Sequence, residues 1–398
     1  MRTKIINGRL ITPYRILEDW ELVIKDGVIE AAGPRDTASD RYCRLLEAAG
    51  RYVAPGFIDL HTHGGGGHDF MDGTAEAFCG AAQAHARHGT TALMPTSLAA
   101  SDEEMETLFA CYEGVRSGGT GGAALLGLHL EGPYFAWNQK GAQDPRYLRC
   151  PDPGHYGPLL RRGQGMIGRW SAAPELPGAL AFGRALREAG ILASMGHSDA
   201  TDEQVLAAME NGYTHITHLY STMSTITRRA GYRYPGLLES AYLFPGLTAE
   251  IIADGCHVPP RLLRQAYLSL GPERLCLVTD SMRAAGQGDG PSLLGSLANG
   301  QACLVEDGVA KLPDRSAFAG SVATADRLVR TMVQQAGAPL CDAVRMMTLT
   351  PARIAGIPRK GLLSAGYDAD IVIFDDAIRV DKTLVGGQCV YDRQEEKP

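Results

Sequence analysis

Short apolar runs alternate with helix-period stretches through the middle of this chain. Eight runs read as strands, at 57–61, 91–95, 125–131, 166–172, 191–197, 213–218, 247–253 and 275–280. Between them, segments such as 74–88, 103–115, 178–189, 202–211 and 261–269 repeat apolar residues at three- and four-residue spacing. Strands that alternate with helices are parallel, and eight such units fit a closed α/β barrel over residues 55–358. A doubly wound open sheet is the rival. It is disfavoured because the run Gly64–Gly67 after the first strand lacks the G-x-G-x-x-G spacing of a dinucleotide turn.

The two ends follow a different pattern. Lys4-Ile5-Ile6, Asn7-Gly8 and Arg9-Leu10-Ile11 predict a tight hairpin, and residues 21–24, 25–27 and 28–30 predict a second. Runs at 370–374 and 384–391 continue this style. Neither end has enough strands to bury a core alone. One small β-sandwich built from both termini, 1–54 plus 359–398, solves that problem.

Composition excludes several classes. Hydrophobic residues at 45% and charged residues at 21% describe a globular protein with a large core. A net charge of −7 leaves no electrostatic footprint for nucleic acid or an anionic membrane. No apolar run approaches the roughly 20 residues needed to cross a bilayer, and Met1–Arg9 lacks the pattern of a signal peptide. The nine cysteines are scattered without a Cys-x-x-Cys pair, which predicts reduced thiols and a cytoplasmic protein.

The chemistry gathers at predicted strand ends, where barrel active sites form. Strand one ends in His61-Thr62-His63, whose two imidazoles share a face and can hold a divalent metal. Strand three ends in His129-Leu130-Glu131, strand five in Gly196-His197-Ser198 and strand six in Thr217-His218-Leu219. Strand seven leads into Asp254-Gly255-Cys256-His257. Strand eight ends in Thr279-Asp280, where a carboxylate suits a general base, although Asp-Ser at such a turn is also an ordinary helix cap. Of the other histidines, His85 and His88 on a helix and His155 in a Pro/Gly-rich loop read as surface residues. His215 reads as packing. His129 suits either packing or support of the site, and His68 lies in a glycine-rich loop that could line it.

These motifs resemble the amidohydrolase superfamily, and within it the N-acetylglucosamine-6-phosphate deacetylase family. The resemblance rests on Pro55-Gly56-Phe57-Ile58-Asp59-Leu60-His61-Thr62-His63-Gly64, Leu130-Glu131-Gly132-Pro133 and Thr217-His218-Leu219-Tyr220. Asp254-Gly255-Cys256-His257, Thr279-Asp280, Ala319-Gly320-Ser321 and Lys360-Gly361-Leu362-Leu363 extend it over nearly the whole chain. It implies a (β/α)₈ TIM-like barrel with the terminal sandwich, a homodimer, and deacetylation of an N-acetyl amino sugar, first of all N-acetylglucosamine-6-phosphate. Glu131, His197 and His218 would hold one metal, and His61 with His63 would complete a second site. Zinc is the first choice of ion, with iron, manganese and cobalt as alternatives. The barrel's only lysines, Lys140 and Lys311, fall outside strand ends, so a two-metal site would be bridged by Glu131. Asp280 would move the proton and His257 would steady the oxyanion.

The resemblance also implies substrate contacts from Ala142, Gln143, Ser221, Thr222, Arg229, His257, Phe318 and Ala319. Two places depart from the family. Gln143 stands where relatives have a phosphate-end histidine, and Ser221-Thr222 replaces Asn-Ala. A related N-acetyl hexosamine, epimeric or unphosphorylated, is therefore an alternative substrate. A cyclic-amide or N-acyl-amino-acid hydrolase is disfavoured by Leu-Glu-Gly-Pro and the missing bridging lysine. An inert assembly barrel is disfavoured by the retained ligands.

Overall fold

The computed structural model describes residues 2–395. Eight parallel strands follow one another in chain order. They are Phe57–Thr62, Thr90–Pro95, Leu128–Glu131, Ile167–Ala172, Leu192–Met195, Tyr213–Ile216, Thr248–Ile252 and Leu275–Val278. The first pairs with the second, and the third to eighth pair in sequence. Isolated parallel bridges Thr96–His129 and Thr62–Ser281 join these two arcs into a ring. The fold is the predicted (β/α)₈ barrel. Gly127, at φ 121°, splits the expected third strand, so Ala124–Leu125 pairs with strand two before Leu128 begins.

Strands one and two are buried at every residue, as parallel strands covered on both faces must be. Helices Ala75–Ala86, Asp102–Gly118, Ala179–Glu188, Asp202–Glu210 and Pro260–Arg274 surround them. Their starts are locally encoded. Thr74 caps the first helix, and Ser101 with Glu104 forms a reciprocal capping box on the second. Phe78, Phe109, Trp170, Phe182 and Leu263 fill the main core.

The barrel lumen is unusual. Layers of branched aliphatic side chains commonly fill it, yet here Arg169, Ser194, His215, Thr217 and Glu250 are fully buried. Arg169 on strand four pairs with Glu250 on strand seven, so their contact crosses the lumen. Arg169 also donates to Thr217 Oγ1 at 2.9 Å, and Thr217 bonds Ser171 at 2.8 Å and Ser194 at 2.7 Å.

Strands from both termini form one continuous sheet with its own core of Ile5, Leu22, Ile24, Val53, Ile371 and Leu384. The second predicted hairpin is present, with Asp26 and Gly27 at positive φ in its turn. The first is not. Arg2–Ile11 is a single strand, and Asn7 at φ 55° makes a bulge within it. The bulge lets one half pair with Cys43–Glu47 and the other with Tyr52–Val53, so tertiary pairing outcompetes the local Asn-Gly turn.

After strand eight comes an unanticipated antiparallel sheet of Gly290–Leu294, Gln301–Glu306, Val309–Lys311 and Phe318–Ser321. It delivers Phe318 and Gly320 to the cleft described below. Among the described residues, no helix is long and apolar enough to cross a membrane.

Candidate metal centre and substrate cleft

The strand ends place six ligand-type side chains around one point. His61, His63 and Asp280 have donor atoms within 4.8 Å of one another, and so do Glu131, His197 and His218. All six are at most 8% exposed. Three of them, His197, His218 and Asp280, have φ of 49°, 27° and 45°. That left-handed backbone turns the chain sharply at the strand end, a strained state that clusters at functional sites. Gly196 precedes such a turn because a Cβ there would meet Thr217 Cβ at 2.7 Å.

Glu131 connects the two groups. Its Oε1 lies 3.3 Å from His197 Nε2, 3.2 Å from His218 Nε2 and 3.4 Å from His61 Nε2. Its Oε2 lies 3.4 Å from His63 Nε2. Asp280 Oδ1 faces His61 Nε2 at 3.3 Å and His63 Nε2 at 3.2 Å.

The donors fit divalent ions. His197 Nδ1 donates to Gln139 O at 2.8 Å, and His61 Nδ1 donates to Glu250 Oε1 at 2.7 Å. Each ring therefore presents an Nε2 lone pair to the centre. His61 Nε2 is buried with no hydrogen-bond partner, while His197 and His218 bring their Nε2 atoms to 3.1 Å. A divalent cation between them would be held by both nitrogens. Donors bound at about 2.0–2.1 Å to a tetrahedral zinc stand roughly 3.3–3.4 Å apart, which matches these separations.

Electrostatics keeps the carboxylates charged. Burial pushes Asp280 up, but His61 and His63 outweigh it and hold the group below its ordinary range. Burial also opposes ionised Glu250, whereas Arg169 and His61 hold it well below the usual carboxylate range.

The ligands floor a cleft of about 260 Å³ whose walls include Leu98, Ala142, Tyr220, Ser221, Thr222, His257, Leu294 and Phe318. His257 Nδ1 donates to Asp254 Oδ2 at 2.7 Å, leaving Nε2 for a substrate. Its ring lies 4.7 Å from that of Phe318.

The Amidohydrolase family profile matches residues 52–390. The chain belongs to the amidohydrolase family. Within this family it is 33% identical to N-acetylglucosamine-6-phosphate deacetylase of Lysinibacillus sphaericus, over 93% of each chain. It is 32% identical to N-acetylgalactosamine-6-phosphate deacetylase of Escherichia coli O157:H7, over 96% of this chain and 97% of the relative. Among solved structures, a mutant N-acetyl-D-glucosamine-6-phosphate deacetylase from Mycobacterium smegmatis, in complex with N-acetyl-D-glucosamine-6-phosphate, superposes with a TM-score of 0.88. That pair is 34% identical, covering 98% of this chain and 99% of the other.

Against this amidohydrolase frame, several expectations change. Gln143 lines the cleft, but its amide is engaged: Nε2 donates to Glu131 Oε2 at 2.7 Å and Oε1 accepts from Ala99 N at 2.8 Å. It braces the Glu131 carboxylate, and both of its amide atoms are taken up by protein groups. Arg229 is not brought to the cleft. It lies on an exposed hairpin, Thr227–Arg229 with Tyr232–Tyr234, and stacks on Tyr234. Ala319 is fully buried beneath the cleft wall, while its neighbours Phe318 and Gly320 line it.

Two histidines read as surface residues are structural. His85 is 3% exposed and sits against Thr62 Oγ1 at 3.0 Å and Gly64 O at 3.1 Å. Burial pushes its pKa down to about 4. His155 belongs to helix Pro153–Arg162 and contacts Tyr134 Oη at 2.6 Å. His88 is half-buried and paired with Asp326 at 3.1 Å. His68 packs over Gly80, away from the cleft. His129 and His215 are fully buried in polar contacts, with Ser171 Oγ at 2.7 Å and Thr248 Oγ1 at 2.8 Å. Sequence reasoning missed Arg169 and Glu250. The available signal was a lone charge inside each of two apolar strands.

Proposed function

We propose that this chain is a metal-dependent deacetylase that hydrolyses the acetamide of N-acetylglucosamine-6-phosphate to the amino sugar phosphate and acetate. One observation carries the reading: five barrel strands converge His61, His63, Glu131, His197, His218 and Asp280 on one buried point beneath a sugar-sized cleft. The relatives named above add the substrate class. Glu131, His197 and His218 would hold one divalent ion, zinc first, and His61, His63 and Asp280 a second, with Glu131 facing both. When bound, such an ion supplies Lewis acidity and lowers the pKa of water from 15.7 towards about 7.

The chain's own groups do the rest. Asp280 accepts the proton of the attacking water and returns it to the departing amine. His257 approaches the acetyl end through Nε2. Gln143 holds Glu131 in place, while Tyr220, Ser221 and Thr222 line the sugar side. Residues 1–54 with 359–398 serve as the supporting domain and 55–358 as the catalytic barrel. The nine cysteines are all unpaired, which suits the reducing cytoplasm. Exposed Ile226 and Tyr232 on the arginine hairpin favour a homodimer that covers them.

A second reading changes only the sugar. The C4 epimer, N-acetylgalactosamine-6-phosphate, is favoured by near-equal identity to the Escherichia coli O157:H7 relative. Acetate release from both phosphorylated epimers and from unphosphorylated N-acetylglucosamine discriminates between these readings. The glucosamine ester is expected to give the highest kcat/KM. No release from any of them by zinc-loaded protein overturns the proposal.

A further inference from the structure

The lumen ion pair beneath the metal centre is more than filling. Glu250 comes from strand seven and is fully buried, four residues before Asp254. Its Oε1 accepts from His61 Nδ1 at 2.7 Å and from the backbone N–H of His218 at 3.2 Å. Its Oε2 receives Arg169, and Arg169 is held in turn by Thr217 at 2.9 Å and Ser194 at 3.3 Å. One carboxylate thus touches a member of each ligand group, His61 of one and His218 of the other.

We infer that Glu250 is a positioning residue for the second metal site, fixing the His61 ring and its tautomer so that Nε2 faces Asp280 and Glu131. The inference rests on the metal-hydrolase reading above. An ionised carboxylate only accepts, so His61 Nδ1 must carry the proton and Nε2 must present its lone pair. Carboxylates placed this way raise ligand basicity, and their loss commonly weakens metal affinity about 10–100-fold. Arg169 supplies the counter-charge that makes a buried carboxylate tolerable. The rival explanation is a purely structural ion pair that stiffens the lumen and has no bearing on the metal.

Two variants separate these explanations. Glu250→Asp keeps a negative charge for Arg169 but is one methylene short of His61. Glu250→Gln keeps the length and shape but removes the charge. Chelator-stripped protein is titrated with zinc alone against a competing chelator, and ions per chain are counted by atomic emission.

Wild-type protein is expected to hold two ions. Both variants are expected to hold one ion tightly and to bind the other about 10–100-fold more weakly, with thermal midpoints measured alongside. Two unchanged affinities in the variants, with or without a lower melting temperature, overturn the inference. A wild-type protein that holds one ion also overturns it while leaving the deacetylase reading intact. A wild-type protein that binds no zinc sinks both.

Should the variants not fold, ¹⁵N-histidine spectra of zinc-stripped wild-type protein decide the matter, with His61 assigned by its loss in His61→Gln. A proton on Nδ1 supports the inference, and a proton on Nε2 overturns it.

Discussion

The floor and the sugar side of this cleft are built from different material. On the floor, all six ligand-type residues sit at the ends of barrel strands and are buried, and three of them are braced by a second group. Glu250 and Gln139 hold His61 and His197, and Gln143 holds Glu131. On the side that the proposed function gives to the sugar, Ser221, Thr222, Ala142 and Phe318 come from loops and from an added sheet, and they are partly exposed. Parallel pairing around a ring holds each strand end against two neighbours. Loops are positioned only by what they happen to pack against. Under the proposed function, chemistry falls to the rigid half and substrate choice to the adaptable half.

The sharpest way to break this comparison is Asp280→Asn. Turnover should fall by about 10²–10⁴-fold or more, because a general acid–base group is removed, while acetate assays run beside metal analysis show the ions still bound. Near-wild-type turnover would remove Asp280 from the mechanism.

A large effect of another kind is expected from acid. His85 lies under the first strand end with a pKa near 4 in the folded protein, against about 6.5 unfolded. Above pH 6.5 both states are neutral and the full stability is present. As pH falls from 6.5 towards 4, only the unfolded chain takes up a proton, so roughly 2 kcal/mol is lost by pH 5. Denaturant melts at pH 7.5 and 5 should show this loss in wild-type protein and a smaller one in His85→Gln.

Gln143→Leu should act on the floor and spare the sugar side. It strands Glu131 Oε2 and the Ala99 N–H, so metal affinity should drop about tenfold and stability by about 1–3 kcal/mol. A change confined to KM for the phosphorylated substrate would instead place Gln143 at the sugar end.

The smallest effect is expected on the adaptable side. Thr222 Oγ1 is buried in the cleft wall without a partner, and its φ is 47°. Thr222→Ala should raise KM about three- to tenfold, the value of one hydrogen bond, with kcat unchanged and stability slightly higher. An unchanged KM would show that the hydroxyl never meets substrate.

Much of this was legible from local pattern. The eight strands were found to within a few residues because buried parallel strands are continuous apolar runs, and their terminal ligands stood out against them. Other features depended on distant partners. Asn7-Gly8 has the local chemistry of a turn, yet two separate strands pair along Arg2–Ile11 and pull it straight. His85 has the spacing of an exposed helical residue, but the Gly64 loop and Ser281 close over it. The sheet after strand eight follows a stretch rich in glycine and polar residues, where apolar alternation is weak.

By itself, the sequence determined the barrel, the joining of β-strands from both termini and the identity of the metal-type ligands, because periodicity and strand-end position are local properties of the chain. Only the tertiary structure decided that Gln143 serves Glu131, that Arg229 stands on an exposed hairpin, and that Glu250 reaches both His61 and the His218 backbone. Those facts depend on side chains from strands far apart in sequence meeting across one lumen, and no local pattern encodes that distance.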